Sequence, residues 1–111
     1  MGKDKLRRFE ENKSFTNLYE APYSQVYGKD HPLKGRWAGD VFGNDNPIIL
    51  ELGCGKGEYT LALARGNRQQ NYIGVDIKGA RLWRGARTAL EEKLDHVAFI
   101  RTRIELIGSF F

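Results

Sequence analysis

Cysteine is almost missing: Cys54 is the single one in 111 residues, which excludes an internal disulfide and fits a reducing compartment, the cytoplasm by default. No stretch approaches the roughly 20 apolar residues that a bilayer-spanning helix needs, so no membrane partner is expected. The basic N-terminus, Met1-Gly2-Lys3-Asp4-Lys5-Leu6-Arg7-Arg8, has no apolar run behind it and gives no secretory signal. Met1-Gly2 does not signal myristoylation either, because Leu6 stands where Ser or Thr is required. Histidine is scarce, and neither His31 nor His96 is tied to Cys54 by a motif. A thiol mechanism is therefore not expected, and Cys54 reads as a small packing residue. No metal, internal repeat or low-complexity tract is expected.

What is present is ordinary in bulk. The length allows at most one domain, and 41% apolar residues plus 13 glycines suit a soluble one. A net charge of +4 is compatible with a nucleic-acid partner without requiring one.

The chain divides near Asn46. Residues 1–46 are polar and aromatic, with turn signals at Tyr27-Gly-Lys-Asp-His-Pro32 and Phe42-Gly-Asn-Asp-Asn-Pro47. They read as an irregular extension with one short helix around Leu6 to Asn12. Leu6, Phe9, Phe15, Leu18, Tyr23, Trp37 and Phe42 are too many large apolar groups for a free tail, so part of it should pack on the body. Residues 47–111 alternate between strand and helix. Ile48 to Leu52, Tyr72 to Ile77 and Val97 to Arg101 are short, apolar and rich in branched residues, as buried parallel strands are. Gly57 to Arg65 forms a helix stopped by Gly66, and Gly79 to about Lys93 a second one with Leu82, Ala86, Ala89 and Leu90 on a single face. The expected fold is α/β: the first half of a doubly wound, Rossmann-like parallel sheet with helices on its faces.

The candidate site lies where the first of these strands ends. Ile48-Ile49-Leu50-Glu51-Leu52 runs into glycines at the alternate positions 53, 55 and 57, and then into a helix. A dinucleotide fingerprint requires glycine where Glu58 stands, and a P-loop requires Gly-Lys-Ser/Thr where the chain has Gly57-Glu58-Tyr59. An acid beside a phosphate is also electrostatically unfavourable. The turn suits a nucleotide-like ligand without phosphate, and S-adenosylmethionine, with a cationic sulfonium and an amino group, meets that description. Asp76 closes the second strand 25 positions after Glu51, where α/β nucleotide folds grip ribose hydroxyls; the alternative is an ordinary helix N-cap. Glu51 has apolar neighbours, so it needs a partner such as the ammonium of a methionine moiety, or else partial solvation at the strand end. Lys78, Arg81, Arg84 and Arg87 line the polar side of the second helix, on the side of the sheet where ligands bind; they read either as a polyanion-binding face or as a solvated face with an Arg87–Glu91 pair.

Three segments together resemble one family. They are Phe42-Gly-Asn-Asp-Asn-Pro47, Glu51-Leu-Gly-Cys-Gly-Lys-Gly-Glu-Tyr-Thr60 and Gly74-Val-Asp-Ile-Lys-Gly-Ala-Arg-Leu-Trp-Arg-Gly-Ala86, and they resemble the bacterial tRNA (guanine-N7-)-methyltransferases, with class I S-adenosylmethionine-dependent architecture. The resemblance covers roughly residues 6–111, and its most specific part follows Asp76. It implies methyl transfer from S-adenosylmethionine to N7 of a guanine in the tRNA variable loop. By carry-over, Glu51 with Gly53, Cys54, Gly55 and Gly57 would hold the methionine part. Asp76 with Ile77 would hold the ribose side, and Thr102, Arg103 and Ile104 would border the adenine. Lys78, Arg81 and Arg84 would face RNA.

The sequence departs from the family's pattern in two places. Arg103 stands where the family has an acid for the adenine amino group, which leaves Thr102 or the backbone near Ile104 to read that edge. The family's Pro-Asp-Pro segment would lie beyond Phe111, so the catalytic residues are expected there, and the chain reads as truncated and inactive alone. In that fold the strand carrying Glu51 becomes an exposed edge, so self-association is expected. A non-catalytic RNA-binding module built on helix 78–93 is the alternative; a nicotinamide-dependent oxidoreductase is disfavoured by Glu58.

Overall fold

The computed structural model describes residues 2–111. Helix α1 (Gly2–Asn12) leads to a three-residue strand β1 (Leu18–Glu20) and a short helix α2 (Tyr23–Val26). A wide π-helical turn, Trp37–Phe42, precedes strand β2 (Ile48–Leu52). Then come α3 (Glu58–Gly66), β3 (Asn71–Asp76), α4 (Gly79–Glu91), β4 (Val97–Arg101) and a 3-10 turn, Ile104–Ser109. The four strands are parallel in the order β1-β4-β3-β2, with Glu51 opposite Gly74 and Asp76 opposite Arg101. β3 and β4 are buried on both faces, which explains their unbroken apolar run.

Side-chain alternation divides the core into two layers. On one face Tyr72, Val97 and Phe99 meet Leu61 and Ala64 of α3 and Leu82, Ala86 and Ala89 of α4. Phe99 occupies room left by three glycines: a Cβ added at Gly57, Gly74 or Gly85 would come within 2.8–2.9 Å of its ring. On the other face Ile73, Val75, Ala98 and Ile100 are covered by Val26, Trp37 and Phe110.

Residues 1–46 therefore do more than the irregular extension expected of them. β1 pairs with β4, Leu18 opposite Phe99, and forms the far edge of the sheet. Trp37 is buried, donates Nε1–H to the carbonyl of Phe110 at 2.7 Å, and meets Tyr19 edge to face at 5.1 Å. His31 stacks on Phe110 at 4.9 Å and accepts from the Leu33 amide through Nδ1. Burial there pushes the His31 pKa down. Leu6 and Tyr23 are exposed. The N-terminal helix starts earlier than the expected Leu6, and it rests on α4. Asn12 donates to the Gly79 carbonyl at 2.9 Å, and Trp83 donates to Glu11 at 2.8 Å.

Three smaller corrections concern element ends. Gly66 is the last helical residue of α3 and keeps negative φ, so it does not cap the helix in the left-handed form; Asn67 follows in extended backbone. Leu90 is exposed, while Trp83, absent from the expected apolar face, is buried under α1. Among the described residues, no helix is long and apolar enough to cross a membrane.

Candidate functional site

The glycine turn is folded inward. Gly53, Gly55 and Gly57 all have positive φ, which only glycine adopts without strain. This curl lets the Gly53 and Cys54 amides both donate to the Val75 carbonyl, at 2.7 and 3.0 Å. The Gly55 amide donates to Asp76 Oδ2 at 2.9 Å, and that of Gly57 to the Cys54 carbonyl at 2.9 Å. A phosphate-binding loop keeps consecutive amides free to point at the anion. Here four of them are committed to protein acceptors, and Glu58 adds an acid in the first turn of α3. Both facts oppose a phosphate and agree with the spacing argument.

Acids close the strands on either side of the turn. Asp76 Oδ2 takes the Gly55 amide and Oδ1 takes the Lys78 amide at 2.9 Å, so its carboxylate ties the turn to the start of α4. The α4 N-cap is Lys78, with no side-chain cap, so Asp76 is not the simple N-cap of the alternative reading. Each carboxylate oxygen keeps a lone pair for a further donor. Glu51 is half-buried and accepts the hydroxyl hydrogen of the buried Thr60, one turn into α3. Its partner within the chain is therefore Thr60, a residue to which sequence reasoning gave no role. Cys54 lies between these acids. Burial first, then the charges of Asp76 and Glu51, push its thiol up to about 12, so it stays protonated and inert as a nucleophile. The two carboxylates, Asp76 and Glu51, place negative charge at the turn, which favours a cationic ligand group there.

Beside the turn opens a cavity of about 370 Å³ lined by Gly53, Asp76, Ile77, Thr102, Arg103, Ile104 and Glu105. Ile77 and Ile104, 49% and 45% exposed, give it apolar walls. Six of the ten expected cofactor residues meet here. The other four stand back from it: Glu51 at Thr60, Cys54 buried beneath, Gly55 held by Asp76, and Gly57 wedged on Phe99. Glu105 was missed. It lines the cavity 3.8 Å from Arg103, where the 3-10 turn Ile104–Ser109 brings it. No metal-holding group of three His, Cys, Asp or Glu occurs among the described residues.

The expected RNA-facing residues Lys78, Arg81 and Arg84 are all exposed at the start of α4, and none forms an ion pair among the described residues. The Arg87–Glu91 pair is present at 3.2 Å.

A parallel sheet, an inward glycine turn and acids at the ends of adjacent strands define a Rossmann-like α/β fold with a cavity beside the turn. The chain belongs to the methyltransferase-domain family, whose model matches residues 44–110. It is 60% identical over 109 residues to a tRNA (guanine-N(7)-)-methyltransferase of Christiangramia forsetii, covering 98% of this chain and 49% of that protein. The Bacteroides fragilis protein of the same name is 50% identical over 111 residues, covering all of this chain and 44% of that protein. A Streptococcus sanguinis relative, also so named, is 42% identical over 71 residues, covering 64% of this chain and 33% of that protein. The chain thus spans about half the length of the curated relatives it matches. A solved structure described as an antibiotic-related methyltransferase shares the fold, with TM-score 0.57 and 22% identity, over 73% of this chain and 42% of that one.

Proposed function

We propose that this chain is the cofactor-binding portion of a cytoplasmic tRNA (guanine-N7-)-methyltransferase that uses S-adenosylmethionine. The observation that carries the reading is the acid-rimmed turn whose amides are spent on the protein, opening onto a cavity with apolar walls. Such a site suits a nucleoside bearing positive charge, not a nucleotide bearing phosphate.

When bound, S-adenosylmethionine supplies an electrophilic methyl group. Asp76, already oriented by two amides, accepts hydrogen bonds from the ribose hydroxyls. Glu51, held by Thr60 behind the cavity, would contribute negative charge on the methionine side of the turn. Ile77 and Ile104 would give the adenine its apolar contacts, and Thr102 and Glu105 would offer acceptors for its amino group. Guanine N7 carries a free lone pair and no proton to remove, so the reaction needs alignment more than a base. A carboxylate near the purine stabilises the positive charge that develops on it. The Pro-Asp-Pro group that would complete the catalytic site is not in this sequence. In our reading the chain binds the cofactor and self-associates through β2.

Isothermal titration with S-adenosylhomocysteine tests the reading. Binding should be measurable, and Asp76→Ala should weaken it at least ~10-fold, about the value of a charged hydrogen-bonding partner. Absence of binding at millimolar ligand would overturn the proposal.

A further inference from the structure

Four arginines from two helices converge on one indole. The guanidinium carbons of Arg8, Arg87, Arg7 and Arg84 lie 4.5, 5.2, 5.6 and 5.9 Å from the Trp83 ring centroid. Two of the four belong to α1, which sequence reading did not connect to α4, and they arrive only because Asn12 and Glu11 dock α1 on α4. The acids facing the cluster are Glu11, 3.7 Å from Arg7, and Glu91, 3.2 Å from Arg87. Four positive charges thus meet two negative ones. Arg8 Nε is buried with no hydrogen-bond partner among the described residues. Gathering like charges is unfavourable unless an anion joins them, and cation–π contact with Trp83 offsets only part of that cost.

The cluster also has a direction. Its groove, about 350 Å³, shares Arg84 and Thr88 with a neighbouring groove of about 440 Å³ that reaches Lys56. Lys56 lies inside the glycine turn, between Gly55 and Gly57. A band of the four arginines and Lys56 therefore runs from α1 across α4 toward the edge of the candidate cofactor site; in its second groove Glu58 is the one acid, and Arg65 is held by Glu92 at 2.7 Å. Planar guanidinium forks suit phosphate oxygens better than point charges do.

We infer that the Arg7–Arg8–Arg84–Arg87 cluster around Trp83 is a binding track for the phosphate backbone of a structured RNA, which it leads to the glycine turn. This rests on the tRNA reading above and extends the RNA-facing surface beyond Lys78, Arg81 and Arg84 to helix α1.

The test measures tRNA affinity by filter binding across a salt series, with S-adenosylhomocysteine titration and thermal unfolding run in parallel. Arg7→Gln with Arg87→Gln should lower tRNA affinity roughly tenfold and reduce the log–log salt slope by about 1 to 2, since each lost phosphate contact removes ~0.7–0.9. Arg7→Lys with Arg87→Lys should keep most of the slope, which separates charge from packing. Arg36→Gln with Arg68→Gln makes the same change in net charge at ion-paired arginines away from the band, and should alter binding little. Unchanged affinity and slope in the first variant, no tRNA binding by the unaltered chain, or equal competition by poly-L-glutamate at matched charge would each overturn the inference. Loss of S-adenosylhomocysteine binding with the tRNA results as expected would instead remove the cofactor reading and leave the track standing.

Discussion

Cys54 is held with its sulfur in the space that the missing side chain of Gly74 leaves open, and its surroundings decide its chemistry. Burial, with Asp76 and Glu51 adding to it, pushes the thiol from about 9 up to about 12. Across that interval the folded protein keeps a proton that the unfolded chain has released. The stabilisation is fully present below about pH 9 and is lost as pH rises toward 12, with a limiting slope near 1.4 kcal/mol per pH unit. Urea denaturation of the wild type and Cys54→Ala should therefore show their stability difference shifting against the wild type by about 1 kcal/mol between pH 8 and pH 10. A difference that stays constant over that range would mean the thiol ionises freely in the folded state. Burial is the larger cause of that shift, and the charges of Asp76 and Glu51 add to it; those two carboxylates are the physical reason for expecting a cationic ligand at the turn.

The elements fold around Phe99, and the glycines next to its ring are not equivalent to the other glycines. Gly57 has φ +75° and a Cβ there would lie 2.8 Å from the ring, so it suffers both left-handed strain and overpacking. Gly57→Ala should cost about 2–4 kcal/mol in denaturant unfolding. Gly66 is helical with open space around it, so Gly66→Ala should raise stability by about 0.5–1 kcal/mol. A harmless Gly57→Ala would mean the turn moves independently of the core. This packing also shows which elements can be read from sequence. β2 to β4, with α3 and α4 between them, announce themselves because each is an apolar pattern within one continuous segment. β1 does not, because three residues carry no period and its pairing with β4 joins positions about 80 apart. Trp83 reads as off the apolar face until α1 is seen to cover it. The candidate site divides in the same way. Asp76 and the glycines follow from local spacing, whereas Thr60 as the partner of Glu51, Glu105 in the cavity and Arg7 and Arg8 beside Arg84 depend on how separate segments pack.

At the scale of the whole molecule, the two edges of the sheet differ. β1 is short, and Glu20 on it is paired with Arg101 at 3.0 Å, a charged and abbreviated edge of the kind that discourages further strand addition. β2 is the longer edge, paired among the described residues with β3 alone. It exposes Ile49 and Leu52, 38% and 47% accessible, and Glu51, its one charged residue, is turned toward Thr60. A row of unpaired backbone donors and acceptors flanked by apolar side chains recruits another strand. The available partner in a purified sample is β2 of a second copy. Light scattering should therefore show mass rising with concentration. Ile49→Lys places a charge on that edge without touching the cavity, so it should return the protein to a monomer while leaving S-adenosylhomocysteine binding unchanged. A wild type that remains a stable monomer at moderate concentration would show that the β2 edge is already protected. Loss of both association and cofactor binding in Ile49→Lys would show instead that the edge and the site are one cooperative unit.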